Sequence, residues 1–231
     1  MTVIFMNFDN LKSMDRYSII IFDLDGTLLD TSEGIFNSVR YTEKRLSLPK
    51  LPTDKLREFV GPPPKEMYKR FYNISEEDAC EAVRLHREYG KTQAIYEAVP
   101  YPGAESVLKT LKKAGYKLFV ATLKSQSLAR DILKNFRILE YFDKVVGMDP
   151  EETRTTKDTL TLILNDFGNP AEKAVLVGDT IYDAVGAKDA GIDFIAVLYG
   201  FGFKDETDVE QIPNIGYISR MEELNDIFCG S

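Results

Sequence analysis

The segment Ile19-Ile20-Ile21-Phe22-Asp23-Leu24-Asp25-Gly26-Thr27 constrains the fold of this chain more than any other. Its apolar run has the length and β-branched content of a strand buried on both faces. Side chains two apart on an extended chain point the same way. Asp23 and Asp25 are therefore delivered to one place, at the C-terminal end of the strand. In parallel α/β sheets that end is where ligands bind. Gly26 follows, and glycine lets the backbone turn sharply or approach a ligand closely.

Downstream the pattern alternates. Leu118 to Thr122, Lys144 to Gly147, Ala174 to Val177 and Phe194 to Leu198 read as strands. Between them lie helical patterns. Leu160, Ile163, Leu164 and Phe167 fall at i, i+3, i+4 and i+7, and Ile181 to Ala190 is stopped by Gly191. Such alternation predicts an α/β fold, a doubly wound, mainly parallel sheet with a Rossmann-like core. From Ser32 to Tyr96 the pattern is helical, with Pro64 suited to a first helical turn, Ser75 to an N-cap, and no strand before Pro100. The expected organisation is a doubly wound α/β core of residues 14–31 plus 100–231, a helical insert of residues 32–99, and an N-terminal extension of residues 1–13. Paired connections near Thr31 and Pro100 favour hinged opening and closing.

Composition narrows the function. A net charge of -8 argues against a nucleic-acid partner. No apolar stretch approaches the ~18 residues of a membrane span. The patch Val3-Ile4-Phe5-Met6 has no basic residue before it, as a signal peptide would require, so a cytoplasmic location is expected. Cys80 and Cys229 read as free thiols. His86, the only histidine, cannot build a His-rich zinc site and is expected on a helix surface.

Chemistry concentrates at strand ends. To Asp23-Leu24-Asp25-Gly26-Thr27 the chain adds Thr122 after Phe119-Val120-Ala121, and Lys157 after Arg154-Thr155-Thr156. It then adds Asp179 and Asp183 in Val177-Gly178-Asp179-Thr180-Ile181-Tyr182-Asp183. Asp23, Asp25, Asp179 and Asp183 would converge on one rim. Carboxylates so crowded need a cation, and hard oxygen ligands favour Mg²⁺.

This ordered set resembles the haloacid dehalogenase superfamily, specifically its phosphatases with a helical cap inserted after the first motif. The resemblance spans Tyr17 to about Gly202. It implies that Asp23 is a nucleophile forming an aspartyl-phosphate. Asp23, the Asp25 main chain, Asp179 and Asp183 would hold Mg²⁺, and the Asp25 side chain would act as acid and base. Leu24, Asp25, Thr122, Leu123 and Lys157 would bind the phosphoryl group, with Lys157 also pairing with Asp23. Leu123 departs from the small polar residue usual after the Thr, a change that leaves its backbone N–H intact. Gly61-Pro62-Pro63, Gly147-Met148-Asp149 and Tyr199-Gly200-Phe201-Gly202 resemble phosphoglycolate phosphatase-like and 5′-nucleotidase-like relatives.

The implied activity is hydrolysis of a small phosphorylated metabolite. A β-phosphoglucomutase-like phosphotransferase and a phospho-accepting signalling module are the alternatives. The cap, at 12 basic and 11 acidic residues, is less acidic than the remainder and suits an anionic substrate. Lys65, Lys69 and Arg70 read better as a solvated helix face. Tyr41, Tyr68 and Tyr72 are candidates for either cavity or cap interior.

Overall fold

The computed structural model describes residues 14–150, 153–168 and 171–230. The extension read over 1–13 lies outside the described residues. β1 (Ile19–Phe22) passes through a tight loop into β2 (Leu29–Asp30). Four helices follow: α1 (Ser32–Arg45), α2 (Thr53–Leu56), α3 (Pro64–Tyr72) and α4 (Glu76–Thr92). The chain returns through β3 (Val99–Pro100). It then alternates through α5 (Ala104–Lys113), β4 (Lys117–Ser125), α6 (Gln126–Asn135), β5 (Lys144–Met148), α7 (Thr156–Phe167) and β6 (Ala174–Gly178). The described chain closes with α8 (Ile181–Ala190), β7 (Asp193–Val197), α9 (Glu206–Glu210), β8 (Gly216–Ile218) and α10 (Glu223–Cys229).

The main sheet has the order β5-β4-β1-β6-β7-β8, and every pairing in it is parallel. β1 lies inside it, and its four residues are almost wholly buried. Ile20 and Phe22 enter one core with Val120 and Val177, while Ile19 and Ile21 enter the other with Phe119 and Leu176. A strand covered on both faces needs no polar alternation, which is why the run is uniformly apolar. From β1 the chain goes first to β4 on one side and later to β6 on the other. That arrangement opens a crevice beyond the carboxyl ends of these strands.

The helical insert has its own apolar cluster, including Val39, Phe59, Tyr68 and Val83, against which Phe201 of the core packs. Pro64 opens α3 and the Ser75 hydroxyl caps α4 by accepting from Asp78 N–H, as the sequence predicts.

Three features differ from the sequence reading. Val99–Pro100 forms a short antiparallel ladder with Leu29–Asp30, strapping together the two connections to the insert. Two residues, one a proline, carry no alternation to read. β4 runs on to Ser125, with a register shift against β5 between Ala121 and Ser125. His86 is not on the helix surface: it is buried, with Nδ1 3.1 Å from the Tyr68 hydroxyl. α4 packs against both α1 and α3, so its buried face is wider than a one-sided stripe. Burial pushes the His86 pKa down to about 3, with the charges of Lys124 and Arg87 adding to the effect. β8, α9 and α10 lie beyond the last strand legible in the sequence.

Candidate active site

The loop after β1 is wound tightly. Leu28 and Leu29 N–H both donate to the Leu24 carbonyl at 3.1 Å, and Gly26 N–H donates to the Leu29 carbonyl at 2.9 Å. Gly26 adopts φ +95, which strains any residue with a Cβ. Asp23 N–H donates to the Val177 carbonyl at 2.9 Å, tying the first acid to the end of β6. Asp179 follows that strand directly, and Asp183 stands in the first turn of α8.

Asp23, Asp179 and Asp183 are buried, and each offers a carboxylate oxygen within 4.8 Å of the others. Each remaining contact is specific. Asp179 accepts from Phe201 N–H at 2.7 Å and Gly202 N–H at 3.3 Å on Oδ2, and from the Thr27 hydroxyl at 3.3 Å on Oδ1. Asp183 Oδ2 accepts from the Thr180 N–H at 3.0 Å and hydroxyl at 2.6 Å, completing a capping box for α8. Asp183 therefore holds its helix and faces the cluster at once.

Burial, then the charge of Asp183, pushes the Asp179 pKa up to about 7. Burial raises Asp183 to about 6 against the opposing Thr180 bonds. Asp23 is raised too, by burial first and then by Asp183, Asp179 and Asp25. Three buried acids that repel one another and have only oxygen donors fit a hard divalent cation. The acidic cluster is thus capable of coordinating a divalent metal.

Asp25 is set apart from that trio. Its Oδ1 accepts from the Thr31 hydroxyl at 2.5 Å, and its Oδ2 pairs with Lys124 Nζ at 2.9 Å. Thr122 is buried, and its Oγ1 accepts from Lys124 N–H at 3.2 Å. Leu123, near the end of β4, is half-buried and lines a pocket with Gly61 and Pro62 of the insert. Lys157, expected against Asp23, is an exposed residue in the first turn of α7; among the described contacts it has no carboxylate partner. It lines an open groove with Leu123, Arg154 and Tyr182. Among the described residues, the lysine paired with an acid of the first motif is Lys124, on Asp25.

Thr27, Thr31, Lys124 and the Phe201–Gly202 backbone are contacts that the sequence reading did not assign. Tyr199-Gly200-Phe201-Gly202 carried the one available signal, because a Cβ on Gly200 would sit 2.3 Å from Asp179 Cβ. Gly200→Ala is therefore expected to cost roughly 2 kcal/mol or more by overpacking. Thermal unfolding with and without a divalent metal checks this; an unchanged Tm in both conditions would contradict it.

The remaining candidates resolve into structure. Tyr68 belongs to the interior of the insert, Tyr72 donates to Glu43, and Tyr41 donates to Glu88. Lys65 and Lys69 pair with Glu76, and Arg70 with Glu58, at the surface. Cys80 and Cys229 are free and exposed. Among the described residues, no helix is long and apolar enough to cross a membrane.

A parallel sheet with a helical insert after β1 and an aspartate cluster at its carboxyl rim defines a class of hydrolase. The chain belongs to that class: residues 20–197 match the haloacid dehalogenase-like hydrolase family. A 5′-nucleotidase of Pseudomonas aeruginosa is 36% identical over 197 residues, covering 85% of this chain and 89% of the relative. A phosphoglycolate phosphatase of Caulobacter vibrioides is 31% identical over 193 residues, covering 81% of each. The crystal structure of a predicted phosphatase from Clostridium acetobutylicum superposes with TM-score 0.85 at 32% identity, covering 93% of this chain and 99% of that one. The protein is an enzyme of this hydrolase family, with the aspartate cluster of a phosphatase.

Proposed function

We propose that the protein hydrolyses a small phosphate monoester with Mg²⁺, by way of an aspartyl-phosphate on Asp23. The observation that carries this reading is the division among the acids. Three buried carboxylates face one another, while Asp25, two residues along, is held apart by Thr31 and Lys124. Asp23, the Asp25 main-chain carbonyl and Asp179 would hold the metal, with Asp183 in support. When bound, Mg²⁺ neutralises the carboxylates and draws charge from the phosphoryl oxygens.

The chain's own residues then divide the work. An Asp23 oxygen attacks phosphorus, the bond to the leaving oxygen breaks, and Asp25 gives that oxygen a proton. Water next attacks the phosphorus of the aspartyl-phosphate. Asp25 takes the water's proton, phosphate departs and the Asp23 carboxylate is restored. Thr122 and the backbone N–H groups of Leu24 and Leu123 would hold the phosphoryl oxygens, and Lys157 would offset their charge.

Residues 14–31 and 100–231 act as the core in this reading, and residues 32–99 as a hinged cap. The ladder Leu29–Asp30 with Val99–Pro100 marks the hinge. The relatives named 5′-nucleotidase and phosphoglycolate phosphatase support monoester hydrolysis. A phosphate-release screen over metabolite phosphates tests the reading. Release of phosphate that needs Mg²⁺ and stops with chelator is expected. An isomerised sugar phosphate from a hexose 1-phosphate would overturn it in favour of a mutase, and a long-lived phosphoprotein without turnover in favour of a signalling module.

A further inference from the structure

The segment of residues 199–203, which follows β7, reaches the acids, the hinge and the insert at once. Its main chain holds Asp179. Phe201 and Gly202 N–H donate to Asp179 Oδ2 at 2.7 and 3.3 Å, and Phe203 N–H donates to the Asp179 carbonyl at 3.1 Å. Its first residue holds the two connections. The Tyr199 hydroxyl donates to the Thr27 carbonyl at 3.0 Å, while the Thr27 hydroxyl donates to Asp179 Oδ1. The Tyr199 ring packs on that of Tyr101, just past β3, with centroids 4.7 Å apart. The Phe201 side chain packs against the apolar cluster of the insert, and among the described residues it is the one core side chain there.

The fit is close toward the acid and loose toward the insert. A Cβ on Gly200 would fall 2.4 Å from Asp179 Oδ2, and one on Gly202 2.4 Å from the Asp179 carbonyl oxygen. The backbone lies against Asp179 with no room for a side chain. On the other side a groove of about 610 Å³ separates Val60 and Met67 of the insert from Thr180 and Tyr182 of the core, with Phe201 on its wall. Phe201 carries apolar contact across that groove. A rotation of the insert about its two connections must either drag Phe201 along or strip it from the cluster. Dragging moves its N–H relative to Asp179, and stripping exposes apolar surface.

We propose that Phe201 is a positioning residue that couples metal occupancy of Asp23, Asp179 and Asp183 to the orientation of the insert. Seated in the insert's cluster, it keeps its own N–H and that of Gly202 on Asp179, so that the carboxylate stays facing the other two acids. Coupling of this kind is reciprocal: the insert orientation that favours the metal is favoured by the metal to the same factor. The inference rests on the reading of these acids as a Mg²⁺ site.

The chain's two cysteines make the test direct. Cys80 on α4 of the insert and Cys229 at the end of α10 of the core are free and exposed. Nitroxide labels on both, read by pulsed dipolar spectroscopy, report the distance between insert and core. Mg²⁺, which is diamagnetic, is added without substrate, and calorimetry gives its Kd. In the wild type, Mg²⁺ is expected to shift or narrow the distance distribution. Phe201→Ala keeps both N–H donors and removes only the ring. It should weaken Mg²⁺ binding by roughly 5-fold or more and abolish the distance response. Phe201→Leu, which restores an apolar anchor, should recover most of both. Met67→Ala, confined to the insert, should weaken Mg²⁺ binding in the same direction and non-additively with Phe201→Ala. If Phe201→Ala does not fold, Met67→Ala decides on the same two readouts. A Mg²⁺ Kd that these variants leave within about 2-fold of wild type overturns the coupling, as does a wild-type distance distribution that Mg²⁺ leaves unchanged. No binding of Mg²⁺ to the wild type overturns both this inference and the metal reading beneath it.

Discussion

Asp23→Asn is expected to lower turnover by on the order of 10⁴-fold or more, and to raise the stability of the metal-free protein. The two effects have one origin. The amide is isosteric but cannot attack phosphorus as an anion, so the covalent route closes. At the same time the exchange removes a buried carboxylate that faces Asp179 and Asp183. The raised pKa of Asp23 records how unfavourable that charge is in the folded state. Removing one of several crowded like charges stabilises the folded state when no cation is present. A simple loss of folding predicts the opposite thermal shift, so Tm in chelator separates the explanations. A variant that turns over normally, or that melts well below wild type in chelator, would count against the assignment.

The second large effect is a metal-dependent response of stability to pH. Asp179 and Asp183 carry folded-state pKa values of about 7 and about 6, above the ordinary carboxylate range near 4. A raised carboxylate pKa means that the folded protein binds more protons than the unfolded chain between those limits. Stability from these groups is therefore full below about pH 4 and is lost as pH rises through 6 to 7. A divalent cation that holds the ionised carboxylates removes the loss. His86, at about 3, slopes the other way below its unfolded value near 6.5.

Subtracting the metal-free Tm from the Mg²⁺-loaded Tm cancels the His86 contribution, since His86 is common to both forms. The gap should be small at pH 5 and should widen toward pH 8 by on the order of 2 kcal/mol or more, or about 4–8 °C for a chain of this size. A gap that is constant with pH, or that narrows, would contradict this account.

Much of the fold follows from residue pattern alone, for a physical reason. A strand buried on both faces must be apolar throughout, so Ile19–Phe22 and Ala174–Gly178 are legible, while Ile181–Ala190, whose Ile181 and Val185 are exposed, is legible from its place between two strands and the Gly191 that stops it. Asp23, Asp179 and Asp183 are legible as a group because each lies at or just after a strand end, where topology brings them together. Contacts made by ordinary residues on distant segments are not legible. Lys124 lies 99 positions from Asp25 and meets it only because β4 lies beside β1. His86 reads as a surface residue until α4 is enclosed by two neighbours. Phe201 and Gly202 act through backbone N–H groups, and the identity of a side chain does not announce that role. The insert is the least legible part: its tyrosines and basic residues serve its own core and surface pairs.

The central claim is that Asp23 carries the phosphoryl group, and trapping it tests this most directly. Protein quenched in acid during turnover, then digested and weighed, should show one phosphoryl group on the peptide containing Asp23. The Asp23→Asn protein should show none. A phosphoryl group on any other residue, or steady phosphate release with no covalent label in the burst phase, would contradict the account.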